Sequence, residues 1–137
     1  MMKTLITGAS GFVGSAVLRQ LLAAGHNVRA LIRPKSDRRN LTRLPVEIVY
    51  GDVTDRRSLD RAMVGCSTLF HVAADYRLWI PKPSEIYETK AIGTRNIMLA
   101  ALNAGSSVLF IRAVSQPSGP LWMGALLMKT RLCRSKI

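Results

Sequence analysis

At 137 residues the chain is long enough for one hydrophobic core and too short for two ordinary domains. Its formal charge of +12 divides unevenly: residues 1–105 carry 15 Lys or Arg and all 8 acidic residues, whereas residues 106–137 carry 5 Lys or Arg and no acid. Two distant cysteines, Cys66 and Cys133, exclude a disulfide framework and a cysteine metal site, and the longest apolar run, 120–128, falls far below the roughly 20 residues of a membrane span.

Residues 2–7 read as a strand that runs into the next turn rather than a leader, so a cytoplasmic setting is expected. A glycine-rich turn follows, Thr7-Gly8-Ala9-Ser10-Gly11-Phe12-Val13-Gly14, and then a helical stretch over 13–24 with Val13, Val17, Leu18, Leu21 and Leu22 on one face and Gly25 at the cap. Asn27 to Ile32 alternates as a second strand, and Arg33 to Asn40 is a polar loop. Val46 to Tyr50 is a third strand, closed by Gly51-Asp52. A short helix capped by Thr54 or Asp55 runs to Val64 and stops at Gly65. The nearly continuous apolar run Thr68 to Ala74 predicts a strand buried on both faces. After a loop holding Tyr76, Trp79, Pro81 and Pro83, Ser84 is placed to cap a long helix over 85–104, ended by Gly105. Strands alternating with helices over short links predict a parallel, doubly wound α/β sheet with right-handed crossovers.

The glycine turn carries the first chemical signal. Between a strand and a helix, Gly8 allows the tight turn, Gly11 lets backbone approach a pyrophosphate, and Gly14 lets the helix pack on the strand. Phosphates then rest on the unpaired N–H groups and positive dipole end of the helix. At the end of the second strand, where a dinucleotide's ribose would lie, stands Arg33 instead of an acid. A guanidinium matches a 2′-phosphate bidentately, so NADP is favoured over NAD, with Lys35, Arg38 and Arg39 adding to the same field. A solvated basic loop is the alternative reading of that run. Asp52, after the third strand, is placed to accept from an adenine amino group with Val53 beside the ring; a turn aspartate would look the same. His71 reads as a structural imidazole in an apolar strand, and His26 carries no signal.

The turn at 7–14, Gly51-Asp52-Val53, Phe70-His71-Val72-Ala73-Ala74 and Gly93-Thr94-Arg95-Asn96 together resemble the extended short-chain dehydrogenase/reductases, which include the NAD-dependent epimerase/dehydratases and dihydroflavonol-4-reductase-like enzymes. The runs 33–41 and 71–79 are similar to the hopanoid-associated sugar epimerase branch. The resemblance covers residues 2–105 and implies an incomplete Rossmann sheet in the order 3-2-1-4, with a fifth strand beside the fourth if Ser107 to Val114 pairs. It implies that Gly8, Gly11, Phe12, Val13, Gly14, Arg33, Asp52, Val53, Ala73 and Ala74 line a dinucleotide site. Lys90 departs from the asparagine usual there. The family's proton relay, a tyrosine with a lysine four residues on, is absent: Tyr50, Tyr76 and Tyr87 are followed at that distance by Thr54, Ile80 and Ala91. No catalytic residue is therefore assigned, and no metal site.

The tail departs further. Relatives continue with a strand ending Tyr-Thr-Ser-Ser-Val-Ala-Thr-Leu-Gly and then Asp-Gly-x-Pro-Ala-Asp-Glu-x-Thr-Pro. Phe110 to Gly119 shows neither, yet its residues can be encoded as TTT ATA CGA GCA GTG TCG CAA CCC TCG GGC, which from the third base reads as the first of those motifs. In that frame Trp122-Met123-Gly124 forces Asp-Gly, and Met128-Lys129 forces Glu. A frameshift shortly after Gly105 is the expectation, with residues 106–137 an out-of-frame tail of little order after about residue 117. Residues 1–105 then form an NAD(P)-binding half-domain, inactive alone, and a small-molecule substrate is expected only in a full-length relative. Asp75, Tyr76 and Trp79 would border its pocket or form a plain surface loop, and the 85–104 helix is a candidate surface for pairing two copies. A non-catalytic nucleotide-binding module or partner subunit is the second reading. Nucleic-acid binding ranks last, since the Arg33 to Arg43 cluster stands without a nucleic-acid fold.

Overall fold

The computed structural model describes residues 3–72, 83–110 and 128–130. The elements run β1 (Lys3–Thr7), α1 (Phe12–Ala23), β2 (Asn27–Ile32), a single 3-10 turn (Arg39–Leu41), β3 (Glu47–Tyr50), α2 (Arg56–Met63), β4 (Cys66–His71), α3 (Pro83–Ala104), β5 (Ser107–Phe110) and β6 (Met128–Thr130). One sheet holds all six strands in the order β3-β2-β1-β4-β5-β6. Every pairing is parallel except β5 with β6, which is antiparallel.

The first four strands take the 3-2-1-4 order that the sequence predicts, and β5 pairs beside β4 with Leu69 opposite Val108. Several boundaries differ: β4 ends at His71 with Val72 outside it, β3 begins at Glu47 rather than Val46, and α1 and α2 each stop one residue before the expected end. β4 begins at Cys66, two residues before Thr68, because Lys3 at the start of β1 already has Cys66 as its partner. α3 begins at Pro83 rather than after Ser84, consistent with the preference of proline for a first helical turn, where its missing N–H costs nothing. β6 is a strand that the sequence does not announce. Of the two candidate caps for α2 the chain uses Asp55, whose carboxylate accepts from the Arg57 N–H at 3.0 Å. α1 ends in a Schellman arrangement, the Gly25 N–H on the Leu22 carbonyl and the His26 N–H on that of Leu21, both at 3.0 Å.

Alternation along β1 splits the core into two layers. Leu5, with Leu31 and Leu69, packs against Leu59, Ala62 and Met63 of α2 and Ile97, Ala100 and Ala101 of α3. Ile6, with Val28, Ala30 and Ile32, packs against Leu18 and Leu21 of α1 and against Leu41 from the 3-10 turn. Helices thus cover both faces, so β1 and most of β2 are buried on both sides, while β4 is partly buried and β3, at the sheet edge, is exposed at both ends.

A polar device ties one layer together. Arg29 leaves β2 beneath the C-terminus of α2, where Nη1 donates to the carbonyls of Ala62 at 2.7 Å and Val64 at 2.8 Å. Its Nε lies 3.0 Å from Glu47 Oε1, and Lys3 Nζ donates to Glu47 Oε2 at 2.7 Å. The two cations hold the Glu47 carboxyl below its usual range, and burial pushes the Cys66 thiol up. Replacing Arg29 by methionine keeps the packed stem but leaves those last helical carbonyls without their donor. The Arg29→Met variant is expected to lose about 2 kcal/mol of stability, read as a lower urea midpoint at unchanged slope.

Candidate functional site

Parallel order aligns the carboxyl ends of the strands along one edge, and every candidate cofactor-binding residue among those described follows such an end. From β3 to β4 the edge carries Asp52 and Val53, then Arg33, then the glycine turn, then Val72. Backbone bonds stitch the row: the Gly51 N–H donates to the Ile32 carbonyl at 3.0 Å, and the Val72 N–H to the Thr7 carbonyl at 3.2 Å. The chain winds to β2 on one side of β1 and to β4 on the other, so the crevice beyond Thr7 is a topological switch point.

Gly8 opens the turn at φ +76, a conformation that a side chain resists. The Gly11 N–H folds back on the Gly8 carbonyl at 3.1 Å, and Gly11 then caps α1 with extended backbone and no side-chain acceptor. A Cβ on Gly14 would stand 1.9 Å from the Gly8 carbonyl oxygen, so helix and turn are in backbone contact. The first turn of α1 holds no acid, and among the described residues its leading N–H groups, which follow the end of β1, have no capping side chain. Such a terminus attracts an anion through both hydrogen bonding and the helix dipole. Phe12 stands 83% exposed at its mouth, and Val13 is partly buried against the α1 layer.

The Arg33 side chain is exposed and makes no hydrogen bond or ion pair among the described residues, and neither does that of Lys35. The other two cations of the run are engaged. Arg39 pairs with Asp37 at 2.6 Å, which lowers the Asp37 carboxyl and raises the Arg39 guanidinium through their shared hydrogen bond. Arg38 Nη1 donates to the Tyr50 hydroxyl at 2.6 Å. Asn40 Nδ2 donates to the Ser10 carbonyl at 2.9 Å, and Arg19 Nη2 to the Asn40 carbonyl at 3.3 Å. With Leu41 buried in the core, these contacts bring the basic loop against the glycine turn. Asn40 is a support that sequence reasoning missed; the signal was Leu41, an apolar residue in an otherwise polar loop.

Asp52 sits in an Asx turn, its Oδ1 accepting from the Thr54 N–H and hydroxyl, both at 2.8 Å. Its Oδ2 takes no hydrogen bond among the described residues. The buried Ser58 hydroxyl accepts from the Asp52 N–H and lies within 3.0 Å of the Asp52 carbonyl and 2.8 Å of the Asp55 carbonyl. From α3, Asn96 Nδ2 donates to the carbonyls of Val53 at 3.1 Å and Thr54 at 3.0 Å. Ser58 and Asn96 are supports that the residue types alone did not reveal. His71 lies 2.7 Å from the Thr7 hydroxyl through Nδ1, and burial pushes its pKa down to about 4. Ala73, Ala74, Asp75, Tyr76 and Trp79 lie outside the described residues, as does Cys133. Among the described residues no group of His, Cys, Asp and Glu could hold a metal, and no helix is long and apolar enough to cross a membrane.

Residues 4–119 match the sequence profile of the NAD dependent epimerase/dehydratase family. The chain is 43% identical over 104 residues to the sterol demethylase protein B of Methylococcus capsulatus, covering 76% of this chain and 32% of that protein. It superposes on the crystal structure of gox2253 with a TM-score of 0.77 at 49% identity, over 82% of this chain and 34% of the other. On the NAD complex of UDP-glucose 4-epimerase from Thermus thermophilus the TM-score is 0.68 at 26% identity, over 78% and 36%. The chain thus spans about a third of the length of these relatives.

Two outcomes are expected of this geometry. Gly14→Ala forces the helix off the turn and should abolish nucleotide binding in titration while lowering the melting temperature, because the added Cβ meets backbone that cannot step aside. His71 should titrate near pH 4 by NMR. Since the unfolded chain takes up a proton near pH 6.5 and the native chain does not, stability should fall as pH drops from 6.5 to 4, by at most about 3 kcal/mol. His71→Gln should remove that part of the pH dependence of thermal unfolding.

Proposed function

Because the chain belongs to the NAD dependent epimerase/dehydratase family, we propose that residues 1–105 bind a dinucleotide as the N-terminal part of an extended short-chain dehydrogenase/reductase, with NADP favoured over NAD. The observation that carries the reading is the capless N-terminus of α1, held in backbone contact with the Gly8 turn at the β1–β4 switch point. An anion approaching from the crevice completes those N–H groups, and a pyrophosphate has the right charge and reach. The neighbour from Thermus thermophilus is an NAD complex, which supports a dinucleotide there.

The preference for NADP rests on Arg33. Arg39 is neutralised by Asp37 and Arg38 is drawn to Tyr50, so Arg33 and Lys35 are the two cations of the loop with their side-chain donors uncommitted among the described residues. At the second strand end, beside the turn, a guanidinium recognises a 2′-phosphate and offers a plain ribose diol no acceptor.

The cofactor supplies hydride transfer when bound; this chain's own residues bind and orient it. The 137 residues hold no tyrosine followed four residues on by lysine, so the chain alone is a binding unit without turnover, its substrate chemistry belonging to a full-length relative. A non-catalytic nucleotide-binding subunit is the second reading, favoured by the same missing pair. The acid-free composition of residues 106–137 supports a frame change after Gly105, which the nucleotide sequence of the gene decides. Fluorescence titration tests the proposal: NADPH should bind at least about tenfold more tightly than NADH, and Arg33→Ala should erase most of that ratio while leaving NADH affinity within about twofold. A protein that binds both equally overturns the NADP assignment, and steep, salt-dependent DNA binding without NADPH binding overturns the dinucleotide reading.

A further inference from the structure

We propose that Asn96 of α3 is a positioning residue for the adenine end of the site, acting through the Asp52-Val53-Thr54 loop; the inference rests on the dinucleotide reading above. Gly93, Ile97, Ala100 and Ala101 form the buried stripe by which α3 faces the core, and Asn96 borders the same stripe, where an apolar side chain would serve packing. Its amide instead spends both donors outside the helix, on the successive carbonyls of Val53 and Thr54 at 3.1 and 3.0 Å. Gly93, one helical turn earlier, lets α3 come close enough: a Cβ on it would stand 3.0 Å from Val53 Cγ2.

From the neighbouring helix, Ser58 of α2 holds the backbone of Asp52. The loop is therefore gripped from two helices, at its first residue by Ser58 and at its second and third by Asn96. Three further bonds close it internally, those from the Thr54 N–H and hydroxyl to Asp52 Oδ1 and that of the Asp55 N–H on the Asp52 carbonyl at 3.0 Å. With Oδ1 occupied, the remaining carboxylate oxygen, Oδ2, is the acceptor available to an adenine amino group. Its placement then depends on the plane of the loop, and that plane is set by the carbonyls that Asn96 holds. Loss of the amide would let the loop rotate without removing any group that touches nucleotide.

The test compares NADPH with its hypoxanthine analogue, in which a 6-oxo group replaces the amino donor. Wild-type protein should prefer the adenine form by about tenfold, the worth of one hydrogen bond to a charged group. Asn96→Leu, similar in size and without donors, should cut that preference to about twofold or less while binding of the hypoxanthine analogue stays nearly unchanged. Asn96→Gln, which keeps the donors, should restore part of the preference, and Asn96→Ala carries the same test if the leucine variant does not fold. In ligand-free protein the amide protons of Thr54 and Asp55 should exchange faster in the leucine variant. A folded variant with the full adenine preference, or with unchanged exchange at those amides, overturns the proposal. Wild-type protein that binds neither nucleotide overturns the dinucleotide reading instead, and the exchange rates then decide whether the clamp itself exists.

Discussion

The site depends on a contact between two stretches of backbone. Gly14 brings the first turn of α1 so close to Gly8 that no side chain fits between them, and that approach fixes the N-terminus of the helix against the end of β1. The interaction is steric before it is electrostatic. A helix dipole has no address until the helix is locked on the strand that it follows, and a lock made of backbone atoms in van der Waals contact moves less than one made of side chains. The absence of a capping side chain at Gly11 fits the same logic: a serine or aspartate there would stabilise α1 by satisfying its own donors, and would occupy the groups that an incoming anion needs.

Around that lock the sheet order does the remaining placement. Because β2 and β4 flank β1, the Arg33 loop and the end of β4 lie on opposite sides of the turn, while β3 sets Asp52 one strand further out. On the dinucleotide reading proposed above, three separate elements would supply three kinds of recognition: backbone donors at the turn, cations after β2, and an acceptor after β3. Each is braced independently. Asn40 and the buried Leu41 hold the cationic loop, Ser58 and Asn96 hold the Asp52 loop, and His71 meets Thr7 beneath the turn. Groups braced by different partners should respond to substitution nearly additively, whereas Asn96 grips the loop that carries Asp52, and that pair should not.

Much of this was legible in the sequence, and for identifiable reasons. Glycines at 8 and 14 can be read because a positive φ and a backbone contact demand them, the parallel sheet follows from alternating elements joined by short links, and its 3-2-1-4 order from the family resemblance. The start of β4 is harder to read, by two residues, because Cys66 and Ser67 are small and half-polar, and their membership in the strand comes from pairing with β1. Ser58, Asn40 and Asn96 are opaque for a related reason. Each bonds to backbone carbonyls or amides, which every sequence provides everywhere, so the partner leaves no trace in residue type.

Charge shows the same division between composition and placement. The basic run from Arg33 to Arg39 looks uniform in sequence, and as a uniform run it would predict a general attraction for any polyanion. Folding sorts it. Asp37 cancels Arg39 at 2.6 Å, Tyr50 turns Arg38 toward the end of β3, and Asn40 anchors the far end of the loop on Ser10. Among the described residues, what remains uncommitted is a guanidinium beside the turn and an ammonium two residues on. A surface selective for one phosphate needs few free cations in fixed positions, since every additional mobile one strengthens binding to all anions alike and so lowers discrimination. The internal pairings within the loop therefore favour selectivity over affinity, which is the balance expected of a nucleotide site rather than of a nucleic-acid surface.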